Sequence, residues 1–272
     1  MRNRKKTTES RIERAGEWLY AAHRRRERFA PLPPDLAPRS VEDAYTIQSE
    51  FVGKRAETLG QVTGYKIALT TPAMRKMMNM GDSIAGDMLD KTILRDPGAR
   101  VHVGDYARLL VEFEIAFELA EDLPAFGAPY GRNRVRAAVA SAMPALELAD
   151  DRNADYAILP ANALMLIADN AWNEGAVLGK PAPEWRDIDL GALQGVASIN
   201  GKEVGTGHGR DVMGHPLDAL GWLANHLAAR GLGLWRGDVV ITGSLVQTQY
   251  PKAGDLVRFD AGALGAVELQ VD

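Results

Sequence analysis

The chain has 272 residues, 46% of them hydrophobic, with a net charge of −4 and no cysteine. That length fits one large domain or two small ones with a globular core. The acidic balance argues against a nucleic-acid footprint, and the missing thiols exclude disulfides, thiolate catalysis and Cys-ligated metal centres.

No apolar stretch approaches the roughly 20 residues of a membrane span. The charged opening Met1–Ser10 leads into no apolar signal core, so the expectation is a soluble cytoplasmic protein with no membrane partner. Residues 1 to about 8 are expected to be disordered. Ile12, Ala15, Leu19 and Ala22 recur at helical spacing, and the basic run His23–Arg28 at the end of that helix reads as solvated surface. Pro31-Leu32-Pro33-Pro34 starts an extended linker. Ser40 is placed as an N-cap, and the helix after it presents Val41, Ala44, Tyr45, Gln48, Phe51 and Val52 along one stripe.

Val62–Leu69 reads as a strand, followed by Thr71 as cap and Pro72 as first residue of a helix. From about residue 100 the chain turns to short apolar strands with Gly and Pro turns, interrupted by expected helices over 133–142 and 156–171. Ser198–Val204 is a hairpin with an Asn-Gly turn. Pro216–Arg230 is a helix stopped by Gly231. Val239–Ile241, Leu256–Phe259 and Val267–Val271 close the chain as strands.

The most informative segment is Leu110-Val111-Glu112-Phe113-Glu114-Ile115-Ala116-Phe117. On a strand, Glu112 and Glu114 point to one side, roughly 7 Å apart. Two carboxylates among apolar neighbours are unfavourable unless a cation or proton lies between them. The plain alternative is a solvated edge-strand face. A third carboxylate, Glu147, sits in the apolar run Pro144–Ala149, with Asp150, Asp151 and Arg152 at its expected end. Three inward carboxylates make a reasonable Mg²⁺ or Mn²⁺ site. Lys66 lies in an otherwise apolar strand, where burial lowers a lysine's pKa and suits it to proton transfer. Its alternative is a lysine snorkelling from a strand edge.

Together with these segments, Ala44–Gln48, Gly64–Thr70, Ile167–Ala171, Gly207–Gly209, Gly214–Leu217, Trp222–Asn225, Thr242–Leu245 and Ala253–Asp255 resemble, in order, the fumarylacetoacetate-hydrolase superfamily. The branch is that of 2-keto-4-pentenoate hydratases and 4-oxalocrotonate decarboxylases. The resemblance implies an α+β fold: a mixed β-roll or sandwich over 61–272 with outer helices, preceded by a small helical region over 1–60. It implies a divalent ion on Glu112, Glu114 and Glu147, Lys66 as proton-transfer residue, and a homo-oligomer that could join a pathway decarboxylase or hydratase.

Departures from the pattern leave roles open. Asp82 falls one position past the family's acid/base aspartate, so it either replaces that group or caps a turn. Asp169 is either a helix-end cap or a polar group beside the pocket. Trp172 stands where a small hydroxyl residue is common, which would reshape the pocket. Arg152 could hold a substrate carboxylate or neutralise Asp150 or Asp151, and Ser244 is a further substrate-contact candidate. The implied activity is hydration of a 2-hydroxy-2,4-dienoate in aromatic meta-cleavage catabolism, acting on a small 2-keto acid or dienoate. Alternatives are a 4-oxalocrotonate-type decarboxylase, an acylpyruvate-type C–C hydrolase, and an inactive scaffold partner of a lyase.

Overall fold

The computed structural model describes residues 10–95, 98–182 and 184–272. The expectation of disorder over residues 1 to about 8 lies outside them. Among the described residues two helices precede the first strand, α1 (Arg11–Arg24) and α2 (Val41–Leu59). Ser10 and Glu13 form a reciprocal capping box on α1, and Ser40 caps α2 by accepting from Asp43 N–H. The chain continues through β1 (Val62–Ala68), α3 (Pro72–Met77), β2 (Ile84–Leu89), β3 (Ile93–Leu94) and β4 (Arg100–Val101). Next come β5 (Leu109–Leu119), α4 (Arg132–Ala138), β6 (Val139–Asp150), α5 (Leu164–Ala168) and β7 (Asn173–Leu178). The last elements are β8 (Gln194–Ile199), β9 (Lys202–His208), α6 (Pro216–Ala229), β10 (Val239–Ser244), β11 (Leu256–Asp260) and β12 (Ala266–Val271).

Among the described residues the strands form two sheets. One has seven strands in the order β2-β1-β10-β5-β6-β7-β3, the other five in the order β4-β12-β11-β8-β9. The larger sheet is mixed: β1 runs parallel to β10 and β3 to β7, while β5, β6 and their neighbours are antiparallel. This is the expected α+β architecture of curled sheets with outer helices. Among the described residues no helix is long and apolar enough to cross a membrane.

Strand alternation sorts the large sheet into two faces. On β5, Val111, Phe113, Ile115 and Phe117 belong to the main core, with the Phe113 ring 5.7 Å from Phe259 of the smaller sheet. The other face carries a separate apolar cluster built from Met88, Ala116, Met143, Ala145, Ala176 and Val239 with their neighbours. The same face therefore runs along each strand from this plug to polar positions: Ala116 to Glu114 and Glu112, Ala145 to Glu147, Ile241 to Gly243. The sheet curls around a trough that is apolar at one end and charged at the other.

Two expected helices differ from the structure. The 133–142 helix stops at Ala138, and Val139–Ala142 begin β6. Their small side chains fit a central strand that needs β5 and β7 on either side. Of 156–171, Leu164–Ala168 forms an α-helix, and a short 3-10 turn at Leu159–Ala161 contains Pro160, which cannot propagate a helix.

The basic run also differs at one position. Arg24, Arg25, Arg26 and Arg28 are exposed, but His23 faces inward. Its Nε2 lies 2.6 Å from Asp169 and its Nδ1 2.9 Å from Glu174, joining α1 to the end of α5 and the start of β7. Desolvation opposes the His23 charge, but Asp169 and Glu174 outweigh it and hold its pKa above the ordinary histidine value. Burial would raise Glu174, yet Arg55 and His23 pull it down to about 2.

These shifts set a stability profile. The His23 contribution is full below its unfolded pKa of about 6.5 and is lost as pH rises through the raised folded value; that of Glu174 is lost as pH falls toward 2. His23→Gln, neutral at every pH, should cost ~2–4 °C of Tm near pH 6 and flatten the decline of wild type toward pH 9. Parallel Tm–pH curves for the two proteins would remove the ion-pair account.

Candidate active site

The charged end of the trough is assembled by register. Glu112 on β5 stands directly opposite Glu147 on β6, and Glu114 is two residues further along the same face. Like charges directly opposite each other destabilise a sheet. One carboxylate oxygen from each of the three lies within 4.8 Å of the others. β5 lies between β10 and β6, so the solvated-edge alternative does not hold: Glu114 and Glu147 are 0% exposed.

Lys66 reaches into the same group from β1. It is 3% exposed, its Nζ lies 3.1 Å from Glu147 Oε1, and it donates to Ala171 O at 3.4 Å. It is therefore no snorkelling edge residue. Its pKa also departs from the expected direction. Burial pulls it down, but Glu147, Glu112 and Glu114 together outweigh that and hold it above the usual lysine range. Burial pushes Glu114 well above the usual carboxylate range, and the charges of Glu147 and Glu112 push the same way; Lys66 and the Gly243 N–H act against them. Glu147 is raised by burial despite Lys66.

The fourth wall comes from β10. Gly243 has φ +113° and donates its N–H to Glu114 Oε2 at 2.6 Å. A Cβ there would lie 2.6 Å from Thr70 Cγ2, so only glycine brings this N–H to the carboxylate. Asn173 donates to Glu147 Oε1 at 2.9 Å and Thr248 to Glu112 Oε1 at 2.7 Å. Glu114 Oε1 and Glu147 Oε2 remain buried with no hydrogen-bond partner among the described residues. Two orphaned carboxylate oxygens beside a third carboxylate fit a hard divalent cation, which prefers oxygen ligands.

Across the trough the backbone is unusual. Asn170, Ala171 and Trp172 have φ of 53°, 48° and 62°. Consecutive left-handed non-glycine residues are costly, of order 1–2 kcal/mol each. Asn170 holds the turn by accepting from Asp87 N–H at 2.7 Å and donating to Asp87 O at 2.8 Å, standing in for a strand partner at the β2 edge. The result aims Ala171 O at Lys66.

A cavity of about 400 Å³ opens from this cluster, lined by Lys66, Glu112 and Ser244 and by apolar side chains including Leu69, Leu166 and Trp172. Ser244 lines it while bonding the backbone, accepting from Phe113 N–H at 2.9 Å and donating to Val246 O at 2.7 Å. Trp172 packs edge-on against Phe29 and Tyr156.

Three candidates lie outside the lining. Asp82 is exposed and accepts from Ser83 N–H at 2.7 Å and Trp222 Nε1 at 3.1 Å, the geometry of the turn-capping alternative. Arg152 is 1% exposed and donates to Asp169 at 2.5 Å, while Asp150 is held by backbone N–H groups of 107, 108 and 152. Asp169 is enclosed between Arg152 and His23. Sequence reasoning missed Asn173, Thr248 and the Gly243 N–H as partners of the glutamates; Asn173 and Thr248 are polar residues in loops and strand ends with no spacing signal.

A family model for the fumarylacetoacetate (FAA) hydrolase C-terminal domain matches residues 75–272. The chain belongs to the fumarylacetoacetate hydrolase family. It is 34% identical over 250 residues to a 2-hydroxyhexa-2,4-dienoate hydratase of Comamonas testosteroni, covering 92% of each chain. It is 30% identical over 252 residues to a 2-oxo-hept-4-ene-1,7-dioate hydratase of Escherichia coli, covering 92% of this chain and 93% of the other. Among solved structures, 4-oxalocrotonate decarboxylase from Pseudomonas putida G7, complexed with magnesium and adipate, superposes with a TM-score of 0.87 at 26% identity, covering 98% and 99% of the two chains.

Proposed function

We propose that the protein is a divalent-metal-dependent hydro-lyase that hydrates a 2-hydroxy-2,4-dienoate of aromatic meta-cleavage catabolism. The observation that carries this reading is the buried Glu112–Glu114–Glu147 cluster with two orphaned oxygens, opening beside Lys66 into a cavity of small-molecule size. Relatives with dienoate-hydratase names support the reaction class.

When bound by the three glutamates, Mg²⁺ or Mn²⁺ would supply Lewis-acid stabilisation of the negative charge on a 2-keto acid's enolate. The chain's own groups do the rest. In this reading Lys66 carries the proton that leaves the enol and returns at carbon, after which water adds across the remaining double bond; a cation on the glutamates would neutralise the charges that hold its pKa up and so free it to exchange that proton. Ala171 O and Glu147 fix its Nζ. Asn173, Thr248 and Gly243 N–H fix the glutamates. The apolar wall keeps bulk water from the reactive carbons.

Glu147 supports a lyase over the acylpyruvate-type hydrolase alternative, whose third ligand is usually aspartate. A 4-oxalocrotonate-type decarboxylase would use the same cluster and differ at the substrate tail. The reading includes a cytoplasmic homo-oligomer. Exposed Phe126 and Trp235 flank the Leu123–Leu234 bridge and offer an apolar patch for that assembly. The test is proton NMR of solvent deuterium exchange at C3 of 2-oxopentanoate. Mg²⁺- or Mn²⁺-dependent exchange that EDTA abolishes is expected, and no exchange with any metal in folded protein overturns the proposal.

A further inference from the structure

The cavity's charge distribution discriminates between two substrate classes that the proposed reaction leaves open. Beyond the glutamate cluster, its wall is made of Leu69, Met74, Met78, Leu110, Leu166 and Val246, with neutral hydroxyl and amide groups between them. Among the described lining residues Lys66 is the one cation, and it is held by Glu147. Three guanidinium groups touch lining residues or their neighbours, and each already has a carboxylate or backbone partner, although Arg152 Nε–H stays buried and unpaired among the described residues. Arg75 donates to Leu69 O and Ser83 Oγ. Arg108 pairs with Asp151 and stacks over Tyr250. Arg152 pairs with Asp169. A second carboxylate on the substrate would meet neutral donors in this wall, including the Trp172 Nε1–H that is unpaired among the described residues, but no free cation, and a buried charge without a counter-charge is disfavoured.

From this we infer that the cavity selects a monocarboxylate with an uncharged, apolar tail over a dicarboxylate, and that Trp172 sets the bulk of tail it admits. The inference rests on the proposed 2-keto-acid chemistry at the glutamate cluster. Trp172 is suited to the second role because its backbone is locked in the left-handed turn and its ring is wedged between Phe29 and Tyr156. The wall it forms is fixed rather than adaptable.

The experiment compares three compounds with Mg²⁺-loaded protein: 2-oxohexanoate, 2-oxoadipate, and the 6-methyl ester of 2-oxoadipate, which keeps the length and removes the distal charge. KM and kcat are read from C3 deuterium exchange, and binding from the Tm increase each compound adds. A KM for the diacid about tenfold or more above that of the ester, with a smaller Tm gain, is expected. Equal or tighter use of the diacid overturns the inference. If none of the three exchanges, the proposed reaction fails, and the Tm gains still decide the tail preference.

For Trp172, the ratio of KM values for 2-oxo-6-phenylhexanoate and 2-oxohexanoate should fall about tenfold in Trp172→Ala, with a smaller change in the kcat ratio. Trp172→Phe, which retains an aromatic ring against Phe29, should fall between and carries the test if the alanine variant fails to fold. Ratios unchanged from wild type remove Trp172 as the determinant.

Discussion

Glu114→Gln is expected to abolish Mg²⁺-dependent exchange while leaving the metal-free protein at least as stable as wild type. Glutamine has the shape of a protonated glutamate and can still accept from Gly243 N–H, so the local packing survives. What it removes is a buried ionisable carboxyl whose charged form the metal-free folded protein opposes. Glu114 has a folded-state pKa well above its unfolded value, first through burial and then through Glu147 and Glu112. For an acid shifted upward, the penalty is absent below about pH 4.5 and grows as pH rises toward the folded pKa. Metal-free wild type should therefore lose stability above pH 5 more steeply than the variant. Saturating Mg²⁺ should reverse the order: a ligand at 100 times its Kd stabilises by about 2.7 kcal/mol, or ~5–10 °C of Tm for a chain of this size. Glu114→Gln should show little of that gain. A variant that keeps both the Mg²⁺-induced Tm increase and full exchange would rule out the three-glutamate site.

The same cluster shows why much of this site is legible in the sequence. Glu112 and Glu114 are visible because a strand's period of two places them together among apolar neighbours, and Glu147 because it interrupts another apolar run. Their meeting is not visible, because the register that sets Glu112 against Glu147 depends on how β5 and β6 pair. The expected helix over 133–142 fails for a related reason. Alanine-rich Ala137–Ala142 carries no strong strand signal, and its state is decided by neighbouring strands. The left-handed turn at 170–172 depends on Asn170 gripping Asp87, 83 positions away in the chain. His23 looked solvated inside an arginine run because its acidic partners, Asp169 and Glu174, lie about 150 residues downstream. Local signals gave the chemistry of single residues; long-range pairing gave their protonation and their partners. Lys66 combines both: its strand was readable, but the upward direction of its shift needed the positions of all three glutamates.

Lys66→Ala should slow C3 exchange by roughly 10²–10⁴, the range for losing a general acid or base, without weakening Mg²⁺ binding. Lys66 and a cation compete for the same carboxylates, since the ammonium lies 3.1 Å from Glu147 Oε1. Removing its charge should leave the metal held at least as tightly, so the variant separates proton transfer from metal loading. Lys66→Arg sharpens the distinction, because a cation on the glutamates would remove the charges that hold the Lys66 pKa up, whereas a guanidinium keeps its proton near neutral pH whatever its neighbours. If Lys66 carries the proton, arginine should be nearly as slow as alanine even where it restores metal-free stability. If Lys66 acts only as a counter-charge to Glu147, alanine should lose Tm with little loss of rate, and arginine should restore the Tm at a rate near that of wild type. Exchange rates measured at saturating Mg²⁺ for wild type and both variants, with Tm recorded alongside, decide between a proton carrier and an electrostatic strut.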